Sequence, residues 1–167
     1  EHYKFLAALV EVTQPKLVIE IGTASGLSAL AIKEKLPKGS KLITFDIIPW
    51  RDISDTVFCE DDFKEGNLQQ RIGDLSDPKV FSENSAIFQE ADLIFSDAPK
   101  DGMFEQVLLN HMFKISLPKK PLVVFDDIRL WNMLKIWRDI NLPKLDVTSF
   151  GHWSGTGLVD WQNSNHP

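Results

Sequence analysis

The chain has one cysteine, Cys59, among its 167 residues. A lone thiol excludes a disulfide-stapled secreted scaffold and fits a reducing compartment, with cytoplasm as the expected location. A basic excess is also absent: 18 Lys and Arg face 24 Asp and Glu, for a formal charge of −6. Phosphate neutralisation needs a clustered basic face, so no nucleic-acid partner is expected. No stretch approaches the roughly 18 consecutive apolar residues of a membrane span, so no membrane partner is expected either. Repeats, low-complexity tracts and long Pro/Gly/Ser linkers are missing as well, which leaves residues 1–167 as a single domain. The chain begins with Glu1 rather than Met, which leaves room for a missing N-terminal segment and leaves targeting undecided. What is present is ordinary for a globular domain with a core: 43% hydrophobic and 25% charged residues.

Short apolar runs alternate with longer amphipathic stretches. Apolar spacing over His2–Val12 predicts a helix with Lys4 and Glu11 toward solvent. Leu17–Ile21 reads as a buried strand, followed by Gly22-Thr23-Ala24-Ser25-Gly26 and a helix to Leu36, stopped by Pro37 and Gly39. Lys41–Phe45 is a second strand ending in Asp46, and the acidic, poorly periodic stretch Pro49–Gly66 is irregular, with room for a helix. Further strands are expected at Gln69–Gly73, Asp92–Ser96 and Leu122–Phe125, with helices from Pro78, over Met103–Ile115 and over Leu130–Ile140. Leu145–Phe150 and Gly157–Trp161 close the chain as two strands with no helix between them. Alternating strands and helices predict an α/β fold: a parallel sheet with helices on both faces. The final pair adds a C-terminal antiparallel hairpin.

Ligands of open α/β sheets sit beyond the carboxyl ends of the strands, near the reversal of strand order. Glu20, Asp46, Asp74, Asp97, Asp126 and Asp127 collect at those ends, where they serve either a ligand or the caps of the following helices. The glycine turn lacks Gly-x-Gly-x-x-Gly and lacks the Gly-Lys-Ser/Thr of a phosphate loop. Its glycines admit positive φ and close backbone approach, and by itself it is also a plain tight connection. Asp46 is placed to accept from both hydroxyls of a ribose, while Glu20 repels a pyrophosphate and favours a cation. A nucleoside with a cationic amino-acid tail meets both conditions, and S-adenosylmethionine is the common metabolite of that description.

Glu20-x-Gly22-x-x-x-Gly26 with Asp46 resembles the first two motifs of class I S-adenosylmethionine-dependent methyltransferases. Residues 20–31, EIGTASGLSALA, are similar to the catechol and caffeoyl-coenzyme A type O-methyltransferases. The resemblance implies a Rossmann-like, seven-stranded, mostly parallel sheet closed by the hairpin already read. It implies that Gly22, Thr23, Ala24 and Ser25 lie along the methionine part of the cofactor, within a site that also takes in Glu20 and Gly26. It further implies that Ser28 binds the cofactor carboxylate, Asp46 the ribose, and Ile47 and Gly73-Asp74 the adenine. Asp74 is equally suited to capping the turn Leu75-Ser76-Asp77-Pro78.

Asp97-Ala98-Pro99-Lys100-Asp101 follows the fourth strand and Asp126-Asp127 ends the fifth. Carboxylate oxygens without nearby His or Cys suit a hard cation, Mg²⁺ first, with Ca²⁺ or Mn²⁺ as alternatives. The plainer reading makes Asp97 a strand-end residue and Asp127 a cap for the next helix. In a regular strand Asp126 and Asp127 would face opposite ways, so a shared ion requires the chain to turn there. The resemblance implies Asp97, Asp126 and Asp127 as metal ligands, Lys100 as the catalytic lysine and Asp97 beside it, except that Asp127 stands where the family usually has Asn. A lone lysine is otherwise most often solvated.

Trp137 falls on a helical apolar stripe and reads as core, whereas Trp50, Trp131 and Trp153 are candidates for walling an aromatic acceptor. His152 is an alternative base or an exposed loop residue. One helix precedes the first strand, whereas the related enzymes carry extra N-terminal helices over the acceptor. That leaves a truncated chain, a cleft covered by a partner such as a second copy, or a large acceptor. The reading is a divalent-metal-assisted O-methyltransferase acting on a small hydroxylated acceptor. Its alternatives are a metal-independent methyltransferase of the same fold and a non-catalytic nucleoside-binding domain, with a nicotinamide enzyme disfavoured by the glycine spacing.

Overall fold

Leu17–Ile21 (β1), Lys41–Asp46 (β2), Leu93–Ser96 (β4) and Leu122–Asp126 (β5) are apolar runs buried along nearly their whole length, as strands covered on both faces must be. In the computed structural model, which describes residues 1–161, they form the centre of a seven-stranded sheet ordered β3-β2-β1-β4-β5-β7-β6. Leu68–Ile72 (β3) lies at one edge and Lys144–Asp146 (β6) at the other. Thr156–Asp160 (β7) runs antiparallel between β5 and β6, and the remaining neighbours are parallel.

Period-two alternation divides the core. Val18, Leu42, Phe95 and Val124 point to one face, under His2–Thr13 (α1) and Leu27–Lys35 (α2). Ile19, Ile43, Phe45, Ile94, Val123 and Phe125 point to the other, under Pro78–Glu90 (α3), Phe104–Lys114 (α4) and Trp131–Asp139 (α5). Local chemistry fixes the ends of these elements. Asp77 accepts from Lys79 N at 2.7 Å with Pro78 in the first turn of α3, and Asp101 accepts from Met103 N and Phe104 N to start α4. No described helix is long and apolar enough to cross a membrane.

Two expectations change, the extent of the strand at Leu145–Phe150 and the role of Trp50. The strand expected over Leu145–Phe150 stops at Asp146, whose Oδ1 accepts from Thr148 N at 3.0 Å and bends the chain into a 3₁₀ turn at Thr148–Phe150. The irregular stretch after β2 holds two 3₁₀ turns, Trp50–Asp52 and Glu60–Phe63. Trp50 is buried there, stacked on Phe63 at 5.1 Å between ring centres, so it belongs to the core and does not wall the cleft. Trp137 is core as expected, with Gly157 packed against its ring. Trp131 and Trp153 are 81% and 83% exposed.

Candidate active site

Strand order reverses between β1 and β4, and the two strands end together. Gly22 (φ +97°) follows β1, and a Cβ there would lie 2.1 Å from the Asp97 carbonyl oxygen at the end of β4. Only glycine allows that approach. Beside it a cavity of about 560 Å³ is lined by Gly22, Ala24, Asp46, Ile47, Gly73, Asp74 and Asp97 of the sequence-derived cofactor set. Ile47 is 66% exposed, an apolar side chain at the rim.

Glu20, Thr23, Ser25, Gly26 and Ser28 lie behind this lining. Glu20 is fully buried and Oε1 accepts from Ser28 Oγ at 2.6 Å, tying β1 to the first turn of α2, while Oε2 has no hydrogen-bond partner among the described residues. Burial pushes its pKa up to about 7 against the pull of the Ser28 and Thr44 hydroxyls, and negative Asp97 and Asp46 add to the rise. Thr23 Oγ1 meets Thr44 Oγ1 at 2.8 Å, and Ser25 O accepts from Val57 N at 2.9 Å. Gly26 packs on Phe58, whose ring a Cβ would meet at 2.6 Å. Asp46 is engaged as well. Its Oδ2 accepts from Thr23 N and Ala24 N at 3.0 and 3.1 Å, and its Oδ1 from Ile47 N and Ile48 N at 2.7 and 3.2 Å. Asp74 Oδ1 accepts from Ser76 N and Oγ at 2.8 and 2.7 Å, so it shapes its turn while also lining the cleft.

Next to the cavity the chain turns at Asp127 (φ +59°), which lets it join its neighbour Asp126. Oxygens of Asp97, Asp126 and Asp127 all lie within 4.8 Å of one another. The first turn of α5 receives no side-chain cap, so Asp127 does not serve that helix. Lys100 is not solvated: its side chain is 10% exposed and Nζ donates to Asp97 Oδ1 at 2.6 Å and Ala98 O at 2.9 Å, with Asp127 Oδ2 at 3.8 Å. Its left-handed backbone (φ +62°) is held by N–H donation to buried Glu105 Oε1 at 2.9 Å. Asp126 is pushed up to about 6, first by burial, then by Asp97 and Asp127, with His152 and Lys100 opposing.

Two further residues join this cluster without a sequence pattern that links them to it. His152 Nε2 lies 2.5 Å from Asp126 Oδ1, with Ser154 Oγ on its Nδ1, and His2 Nδ1 lies 3.7 Å from the same Asp126 oxygen. Burial and the neighbouring His152 hold His2 down to about 4. The glycines bracketing Gly151-His152-Trp153-Ser154-Gly155 are a signal for a shaped loop. Nothing local marks His2, which arrives from α1 across the sheet.

A nucleoside-sized cleft at the reversal of a doubly wound sheet, an antiparallel β7 and an adjoining acidic cluster together define a Rossmann-like domain of the methyltransferase type. Residues 1–147 match the family model described as O-methyltransferase, and the chain belongs to that family. A catechol O-methyltransferase of Niastella koreensis is 31% identical over 99 residues, 58% of this chain. The match spans 43% of that relative's length, less than half. The fold also matches the crystal structure of a methyltransferase from Geobacter sulfurreducens (TM-score 0.70, 16% identity, 95% of this chain and 77% of that one). It likewise matches the O-methyltransferase TomG of Streptomyces achromogenes, solved in complex with SAM (TM-score 0.61, 19% identity, 95% and 78% covered).

Proposed function

We propose that this chain transfers a methyl group from S-adenosylmethionine to a hydroxyl of a small acceptor, with a divalent cation of the Mg²⁺ class at Asp97, Asp126 and Asp127. The observation that carries the reading is the meeting of those three carboxylates and Lys100 Nζ beside the cleft, which Asp97 also lines. The residues fit both groups. Glu20 Oε2, buried and without a partner, suits a cationic donor, and the apolar rim at Ile47 suits a base. Three carboxylates offer only hard oxygen donors, as a hard cation requires.

Bound S-adenosylmethionine supplies a methyl already activated by its sulfonium, and a divalent cation lowers the pKa of a hydroxyl beside it. The rest falls to the chain. The Gly22–Gly26 turn and Asp46 fix the nucleoside along the ends of β1 and β2, leaving in-line alignment as the main task. Lys100 Nζ, anchored against Asp97 and shielded from water, would take the hydroxyl proton as the neutral amine, its ammonium having first released a proton to solvent. An acceptor hydroxyl is the class of nucleophile shared with the catechol-type relative. A cytoplasmic setting fits the unpaired, exposed Cys59.

The test combines binding and turnover. S-adenosylhomocysteine is expected to raise the melting temperature, and turnover on a catechol is expected to need Mg²⁺ and to collapse in EDTA and in Asp97→Ala. No shift at millimolar S-adenosylhomocysteine would overturn the cofactor assignment. A metal-independent methyltransferase is the second reading, favoured by the Lys100 ammonium that already offsets Asp97 and Asp127. Turnover surviving both EDTA and Asp97→Ala selects it.

A further inference from the structure

We propose that His2, His152 and Asp126 form a second cation subsite, taking a borderline divalent transition ion of the zinc or cobalt class. It adjoins the all-oxygen set and shares Asp126 with it, but does not depend on methyl transfer.

The first argument is geometric. A ligand nitrogen from each histidine and an oxygen of Asp126 lie within 4.8 Å of one another. His152 Nε2 is 2.5 Å from Asp126 Oδ1 and His2 Nδ1 is 3.7 Å from it. Donors around an ion at about 2.0–2.1 Å stand roughly 3–3.5 Å apart, so His152 would draw back from Asp126 by about 0.5–1 Å and His2 would close on it by a few tenths. The rings meet edge to face, with centres 4.9 Å apart and planes at 84°, so both nitrogens face the carboxylate without stacking.

The second argument is unsatisfied hydrogen bonding. Two imidazoles converge on one carboxylate oxygen, yet only His152 is within hydrogen-bond reach of it. His2 Nδ1 has a long 3.5 Å contact with Thr156 Oγ1, and Nε2 is buried with no partner among the described residues. An ion at Nδ1 would give that nitrogen a short partner in place of its long Thr156 contact, while Nε2 would keep its N–H without one.

The third argument is donor chemistry. Two imidazoles and one carboxylate select zinc, cobalt, nickel or iron over magnesium, the reverse of the preference of Asp97 and Asp127. His152 also carries outer-shell support: Ser154 Oγ lies on its Nδ1, and an Nδ1–H donated there would orient the ring and let Nε2 exchange its Asp126 contact for a metal. Ser154 is buried on the loop leading into β7, so the support is rigid.

The experiment is a Co²⁺ titration of the untagged full chain in excess Mg²⁺, read by visible absorption and by equilibrium dialysis with elemental analysis. The expected result is one Co²⁺ bound with a visible band. His2→Gln and His152→Gln should each weaken binding about tenfold or more, and Asp97→Asn should weaken it far less than either. Wild-type chain that takes up no Co²⁺ overturns the proposal without any variant being needed. So does Co²⁺ binding that both histidine variants retain, or that Asp97→Asn abolishes while they retain it. Failure of Mg²⁺ dependence in turnover, with the cobalt band intact, counts against the oxygen site alone.

Discussion

Glu20→Gln separates the cost of a buried carboxylate from its packing. The wild-type pKa rises from 4.5 to about 7, chiefly through burial. Two to three units at about 1.4 kcal/mol each give about 3 kcal/mol between the protonated and charged forms. Between those values the folded protein keeps a proton that the unfolded chain has released, so stability falls as pH rises. The contribution is full below about 4.5 and gone above about 7. Gln keeps the carbonyl that accepts from Ser28 but does not titrate. Urea denaturation of both proteins at pH 5 and pH 8, with metal-free buffers, yields the free-energy difference at each pH. The gap should move by about 2.5 kcal/mol toward the variant between the two conditions, since part of the contribution is already lost at pH 5. Subtracting the variant removes the parallel contribution of Asp126, whose rise from 3.8 to about 6 acts in the same direction. A gap that stays constant across pH would refute the buried-acid account of Glu20.

Gly22→Ala places a methyl 2.1 Å from the Asp97 carbonyl oxygen at φ +97°, so a loss of about 2 kcal/mol or more and weakened S-adenosylhomocysteine binding are expected, checked by urea denaturation and calorimetry. Lys144→Met removes the ammonium that donates to Arg138 O and Ile140 O, at 3.0 and 2.6 Å, and also to Trp137 O. About 1–2 kcal/mol should be lost from the end of α5, seen as a fall of roughly 3–6 °C in melting temperature. Lys100→Met should reduce turnover by about 10²–10⁴-fold while S-adenosylhomocysteine still raises the melting temperature, a split that a merely structural lysine would not give.

Much of this arrangement is legible in the sequence because it is local. Each central strand is an apolar run, and each run ends at its polar residue, so the pattern of residues alone puts Asp46, Asp97 and Asp126 at one sheet edge. The condition for Asp126 and Asp127 to meet, a turn in the chain, is satisfied by a left-handed backbone at Asp127 that no pattern announces. What stays hidden depends on contacts between distant segments. Gly26 is explained by Phe58, and Trp50 by Phe63, from a stretch whose only regularity is two 3₁₀ turns. His2 reaches Asp126 because the sheet carries β7 and α1 to the same corner, and no spacing within α1 encodes that. Asp46 is legible as a strand-end carboxylate, but its four backbone donors are not, since they depend on the fold of the turn.

Those four N–H groups fill the acceptor capacity of the Asp46 carboxylate. A sugar that reaches this residue therefore arrives by exchange, trading its hydroxyls for amides of the Thr23–Ala24 or Ile47–Ile48 segments. Ligand capture and loosening of those two loops become a single equilibrium. Tightness is then governed by how readily the amides find water or ligand once released, and residues that never touch the nucleoside can tune it.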